Sequence, residues 1–154
     1  MEFSFRPLTQ ADANAVDSWR YEPPFDFYNL DADPADREEF LEASNWPGSY
    51  FAVEDADGTF VGFFSFSETD GVVTIGLGMA PDLTGGGLGE KFLRTGLAFA
   101  RERFDPTAFE LAVAAFNERA IRVYERVGFE ETGRYEQETN GGEYEFVTMR
   151  MDLR

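Results

Sequence analysis

Between Gly85 and Gly89 four of five residues are glycine (Gly85, Gly86, Gly87 and Gly89), and this tract separates two segments of opposite periodicity. In front of it, "GVVTIGLGMA" reads as a strand. Behind it, Leu88, Phe92, Leu93, Leu97 and Ala100 recur at helical spacing to about Arg103. A buried-looking strand, "TAFELAVAAF", comes next. Strand, helix and strand in this order form the crossover unit that parallel pairing requires, so the tract commits the chain to an α/β layout.

The remaining segments fit around that unit. "MEFSFRPLT" alternates apolar and polar residues up to Thr9, an N-cap candidate, which predicts a strand running into a helix at about 10–19. "WRYEPPFDFYNLD" is aromatic and broken by Pro-Pro, which suits an ordered loop. "DPADREEFLEAS" opens on Asp33-Pro34 and carries Phe40 and Leu41, giving a short second helix. "SYFAVEDADGTFVGFFSFSE" reads as two strands joined at Asp57-Gly58. "NERAIRVYERVG" is a helix stopped by Gly128, and "FEETGRYEQE" with "GGEYEFVTMRMDL" makes a closing pair of strands. The predicted order is strand, two helices, three strands, helix, strand, helix, two strands. With 154 residues, no internal repeat and no low-complexity linker, a single domain, 1–154, is expected.

Composition narrows the chemistry. The chain has neither cysteine nor histidine, which removes thiol nucleophiles, Ser-His-Asp arrangements and His- or Cys-ligated zinc, and no metal is expected. Catalysis is left to carboxylates, Tyr, Ser/Thr, Arg, backbone amides and Lys91, the only lysine. Thirty acidic side chains face 13 basic ones, a net charge of −17. A field of that sign repels nucleic acid and anionic membranes, so neither is an expected partner. The excess is spread along the chain. It fits a halophilic acidic protein in salt-rich cytoplasm, where self-repulsion is screened, and also an acidic patch that recruits cationic substrates. No apolar run reaches the ~20 residues of a membrane helix, and the N-terminus lacks a signal-peptide layout, so a cytoplasmic location is expected.

A glycine turn that opens onto a helix offers unpaired N–H groups and the positive end of the helix dipole, a fit for phosphate. Two familiar cradles fail on spacing. Lys91 follows Glu90 and precedes Phe92, which breaks the Walker pattern. A dinucleotide fingerprint begun at Gly85 ends on Glu90, and one begun at Gly87 ends on Phe92.

A different pairing holds. The segment Thr84, Gly85, Gly86, Gly87, Leu88, Gly89, followed after one strand by Asn117, Ala120, Tyr124, Gly128 and Phe129, resembles the two cofactor motifs of the GNAT family of N-acetyltransferases. The first motif there is Gln/Arg-x-x-Gly-x-Gly/Ala. "WRYEPPFDFYN", "GLGMAPDLTGGGLG" and "NGGEYEF" are similar to a bacterial and archaeal subgroup of that family. The resemblance implies the GNAT fold, an α/β (α+β) arrangement: a mixed, mostly antiparallel sheet of six to seven strands, about four helices, and splayed strands 4 and 5. It implies acetyl-CoA as acyl-donor co-substrate and an amine acceptor, on a small molecule or a protein N-terminus. The backbone of Leu77, Gly78 and Met79 would pair with the pantetheine arm. Amides of Gly85, Gly86, Gly87, Leu88, Gly89 and Glu90 would hold the pyrophosphate. Asn117 would contact pantetheine or the adjacent backbone, and Tyr124 would protonate the departing thiolate.

The chemistry is compatible with those roles. An attacking amine loses a proton and the CoA thiolate gains one, with no covalent enzyme intermediate. A phenol of ordinary pKa about 10 suits a thiolate of about 8.5. Each assignment has a plainer counterpart: Tyr124 as a packing aromatic, and Asn117 as the N-cap of its own helix. Phe92 and Phe99 read as core. Thr84 stands where the family carries Gln or Arg, which leaves phosphate binding to backbone amides and a hydroxyl. Ala112 occupies the position of a catalytic Glu in some relatives. The proton acceptor is then Glu110, which shares a strand face with Ala112, or Glu22 in the aromatic segment, or a water relay; either Glu is also a plain solvated carboxylate. Trp19, Tyr21, Phe25, Phe27 and Tyr28 form an acceptor-pocket wall or ordinary packing. A non-catalytic acyl-CoA sensor with the same fold is the alternative function, and a homodimer through the final strands is open.

Overall fold

The computed structural model describes residues 3–21, 28–29, 34–43, 46, 48–81, 88–139 and 142–153. The elements are β1 (Ser4–Pro7), α1 (Gln10–Ser18), α2 (Pro34–Leu41), β2 (Tyr50–Glu54), β3 (Phe60–Thr69), β4 (Val72–Met79), α3 (Gly89–Phe104), β5 (Ala108–Ala114), α4 (Glu118–Val127), β6 (Glu130–Thr139) and β7 (Gly142–Asp152). Their order is the one predicted. Seven strands hydrogen-bond in the order β1-β2-β3-β4-β5-β7-β6, with β4 and β5 parallel. By contacts the chain gathers into two compact units, Met1–Ser65 with Leu77–Gly86, and Phe66–Gly76 with Gly87–Arg154.

In the first unit, β2 pairs antiparallel with both β1 and β3. The β2–β3 loop turns on Gly58 (φ 82), and Asp55 accepts through Oδ1 from the N–H groups of Asp57 and Thr59, so the Asp57-Gly58 signal marks a real turn. Helix α1 begins in a capping box: the Asp12 N–H donates to Thr9 Oγ1 at 3.3 Å and the Thr9 N–H to Asp12 Oδ2 at 2.9 Å. Leu8, Ala13, Val16, Phe40, Trp46 and Ala52 form one buried cluster, with Trp19, Tyr50, Phe60 and Phe63 packed against it. The Trp46 indole N–H finds the Phe40 carbonyl at 2.9 Å, so its polar atom is satisfied on burial.

Asp12 is the one charged residue that is buried among those described, with 5% of its surface exposed. Arg6 on β1 makes this tolerable. Its Nη2 donates to Asp12 Oδ1 at 2.9 Å, while its Nε donates to Glu54 Oε2 on β2 at 2.8 Å. Burial on its own would raise the Asp12 pKa, but hydrogen bonds from Arg6 and from both donors of Thr9 outweigh it and hold the carboxyl below its ordinary value.

In the second unit, β5 lies between β4 and β7, and β6 is the outer strand beyond β7. The β3–β4 connection is a two-residue turn in which Asp70 (φ 52) and Gly71 (φ 83) are both left-handed, matching the twist of the strands it joins. Helix α3 buries Phe92, Leu93, Gly96, Leu97 and Ala100, the stripe read from its spacing. Leu88, placed with that stripe, is instead the N-cap residue. Phe92 is fully core, whereas Phe99 is only partly covered and stacks on Phe66 at 6.1 Å. Gly128 ends α4 at φ 125, and a Cβ there would meet Met151 Sδ at 3.1 Å.

Two expectations follow. A Cβ on Gly78 would stand 2.5 Å from Cε1 of Phe63, whose ring is held by Phe40 at 5.1 Å, whereas one on Gly89 meets nothing within 4 Å. In urea titrations Gly78→Ala should lose about 1–3 kcal/mol, an ordinary overpacking cost, and Gly89→Ala should lose none. The lowered Asp12 pKa means its contribution is complete above the ordinary carboxyl value of about 3.9 and is lost as pH falls through the folded value. The stability gap between wild type and Asp12→Asn should therefore be level above pH about 4 and shrink below it. A gap that widens on acidification would contradict the assignment.

Candidate functional site

Within the first unit the candidate backbone is the end of β4. A two-residue turn at Asp70-Gly71 sets Gly78 opposite Phe63 and Ala80 opposite Val61, and the Ala80 N–H does donate to the Val61 carbonyl at 2.9 Å. Main-chain groups alternate along a strand, so Ala80 and Gly78 direct theirs toward β3. Leu77 and Met79 direct theirs away from it. At Met79 that outward carbonyl is occupied: the Tyr21 hydroxyl donates to it at 2.6 Å. The Tyr21 N–H in turn donates to Asn29 Oδ1 at 2.8 Å, which anchors the residue at both ends. Burial pushes the Tyr21 phenol up to about 12, so it stays neutral and a donor throughout the physiological range. Two residues earlier, Trp19 stacks on Phe60 at 5.5 Å. Phe63 closes the space above Gly78, which explains why a residue without a side chain stands there.

Within the second unit, β4 pairs with β5 over Val72↔Ala108, Val73↔Phe109 and Thr74↔Glu110. Both strands run on, β4 to Met79 and β5 to Ala114. A pairing of three residues between strands of eight and seven is what splayed neighbours leave. Helix α3 starts at Gly89 and its N-cap residue, Leu88, makes no side-chain cap bond, so the first-turn amides of Gly89, Glu90 and Lys91 have no intrahelical acceptor. The Glu90 carboxylate on that turn takes Arg94 Nε at 3.1 Å and Arg126 Nε at 3.0 Å, joining α3 to the end of α4. The hydrogen bond from Arg126, then that from Arg94, keeps the Glu90 pKa below its usual range. The group is solvent-facing, so these pairs add little to the stability of the fold.

Asn117 does cap α4: its Oδ1 accepts from the Ala120 N–H at 3.2 Å. Tyr124 sits on the second turn of that helix, half-buried, edge-on to the buried ring of Phe129 at 6.0 Å. Its carbonyl accepts from the N–H groups of Gly128 and Phe129 at 3.1 and 3.0 Å, so the backbone around the phenol is fixed at the helix end. Glu110 faces Arg150 across the β5–β7 ladder, and Arg150 Nη1 donates to its Oε1 at 2.8 Å. Ala112, two residues on, is exposed on the same face. Glu22, Phe25, Phe27, Thr84, Gly85, Gly86 and Gly87 lie outside the described residues.

Two features of these units escaped the sequence reading. The Tyr21–Met79 contact joins residues 58 apart, and nothing local announces it. Arg94, four residues after Glu90, was legible as a helix pair, but Arg126 on α4 was not.

Known proteins share the fold. Residues 3–130 match the family model described as the acetyltransferase (GNAT) domain. The mycothiol acetyltransferase of Streptomyces coelicolor is 39% identical over 94 residues, covering 57% of this chain and 29% of that protein. That of Propionibacterium freudenreichii subsp. shermanii is 36% identical over 95 residues, 56% of this chain and 30% of its own. The chain thus spans less than a third of the length of these curated relatives. Among solved structures, a chimera built on Vibrio cholerae spermidine N-acetyltransferase superposes with a TM-score of 0.75 at 22% identity, over 99% of this chain and 96% of the other. Spermidine/spermine N-acetyltransferase of the same bacterium gives 0.72 at 21%, over 98% and 92%. At such identities the likeness is one of fold, and it is the family match over 3–130 that decides: the chain belongs to the acetyltransferase (GNAT) family.

Proposed function

We propose that the protein transfers the acetyl group of acetyl-CoA to a primary amine, on a small molecule or a protein N-terminus, by direct attack without a covalent enzyme intermediate. The observation that carries this reading is the end of β4, where the main-chain groups of Leu77 and Met79 are turned away from β3 and so are disposed to receive an extended amide chain as an added strand. The pantetheine arm of coenzyme A is such a chain. The uncapped first turn of α3 supports a phosphate there, with amides of Gly89 and Glu90 as donors and, by resemblance, those of Gly85, Gly86, Gly87 and Leu88. Thr84 supplies no charge to that group.

In this reading Tyr124 gives its proton to the departing thiolate, and the helix end that fixes its backbone keeps the phenol in place. Asn117 contacts the pantetheine arm while capping α4. Of the candidate bases, Glu110 already has its Oε1 occupied by Arg150 Nη1 at 2.8 Å, which leaves Glu22 or a water relay beside it. The spermidine N-acetyltransferases named above transfer an acetyl group to nitrogen by their names, which fits an amine acceptor here.

Calorimetry with acetyl-CoA in molar KCl should show one-to-one binding, and no binding would end the proposal. Binding without release of CoA across a broad amine panel would favour the sensor instead. Tyr124→Phe should lower turnover by about 10²-fold or more, the usual contribution of a positioned proton donor, with acetyl-CoA affinity unchanged. Equal turnover would remove Tyr124 from the chemistry. Asn117→Ala should cost about 0.5–2 kcal/mol of stability through the lost cap, while Asn117→Ser should restore the stability. Acetyl-CoA affinity that stays low in the serine variant would mark a direct contact of Asn117 with the donor.

A further inference from the structure

Tyr21 is a half-buried, neutral phenol that the proposed chemistry does not use. Its hydroxyl donates at 2.6 Å to the carbonyl of Met79, one of the two β4 residues whose main-chain groups face away from β3. The bond is short, and Tyr21 is tied at its own N–H by Asn29. An incoming amide that adds to β4 as a strand would need that same carbonyl as an acceptor. We infer that Tyr21 belongs to the acyl-donor site as a placeholder: in the free protein its O–H occupies the Met79 carbonyl, and an amide N–H of the pantetheine arm takes that position when the donor binds. This rests on the acetyl-CoA reading above and deepens it.

The physical consequence is a coupling. A partly buried carbonyl left without a partner is costly, so the free protein benefits from having the phenol there. The same phenol opposes the donor, because one satisfied hydrogen bond has to be broken for another to form. Tyr21 lies on the segment that leaves α1, two residues after Trp19, which stacks on Phe60 at 5.5 Å.

The test separates the two halves of the donor. Acetyl-pantetheine and adenosine 3′,5′-bisphosphate are titrated calorimetrically into wild type and Tyr21→Phe, a change that keeps the ring and removes the hydroxyl. Tyr21→Phe should bind acetyl-pantetheine about five-fold more tightly, the size of one ordinary hydrogen bond, with the bisphosphate unchanged. Unchanged or weaker acetyl-pantetheine binding overturns the placeholder role. A shift of both ligands together overturns it too, since it would mark a general change in the fold. Wild type that binds neither half overturns the acetyl-CoA reading itself, which keeps the two failures apart.

Discussion

Which atoms of β4 are available to a ligand is settled seven residues earlier, at the Asp70-Gly71 turn. Both residues take left-handed φ values, and the two-residue turn fixes the pairing of β3 with β4. A slip of one residue would exchange the parity of the strand. Leu77 and Met79 would then turn their main-chain groups to β3, and Gly78 would turn outward in their place. The same slip would also separate Gly78 from Phe63, so the ring that needs a residue without a Cβ would meet a side chain. The outward edge of β4 and the packing of Phe63 are therefore two results of one register.

The fold was legible because each segment carries its own punctuation. Thr9 with Asp12 announces α1, the stripe Phe92, Leu93, Leu97, Ala100 announces α3, and Asn117 with Gly128 brackets α4. These are local signals, and local physics decides them. The Asp70-Gly71 hairpin carries an equally plain signal, although "GVVTIGLGMA" counts Gly71 with the strand. Phe99 was read as core from its apolar character, but its place on α3 leaves it at the margin of the buried stripe.

The site was legible only as types and spacings. Asn117 was read with two roles, and its capping bond to Ala120 accounts for its presence whether or not it meets a cofactor. Glu110 was chosen for its strand face, yet its partner Arg150 comes from β7, 40 residues away, and no periodicity links the two. Tyr21 was grouped with four other aromatic residues, and the polar end of its ring, which sets it apart from Phe25 or Phe27, acquires meaning only once β4 lies beside it. Contacts of this kind depend on tertiary placement, which sequence spacing does not encode.

The outer strand β6 has a consequence for how copies of this chain meet. Its unpaired edge carries Glu130, Glu131, Glu136 and Glu138 against a single Arg134, and that arginine is already engaged by Glu131 and by Glu145 of β7. Two such edges brought to strand-pairing distance, about 4.8 Å, would set rows of like charge against each other. In dilute buffer that repulsion opposes such pairing. As ionic strength rises toward 1 M the screening length contracts to about 3 Å, shorter than the spacing between strands, and this repulsion weakens. The barrier that the acidity of β6 sets against pairing edge to edge is thus itself a function of the medium.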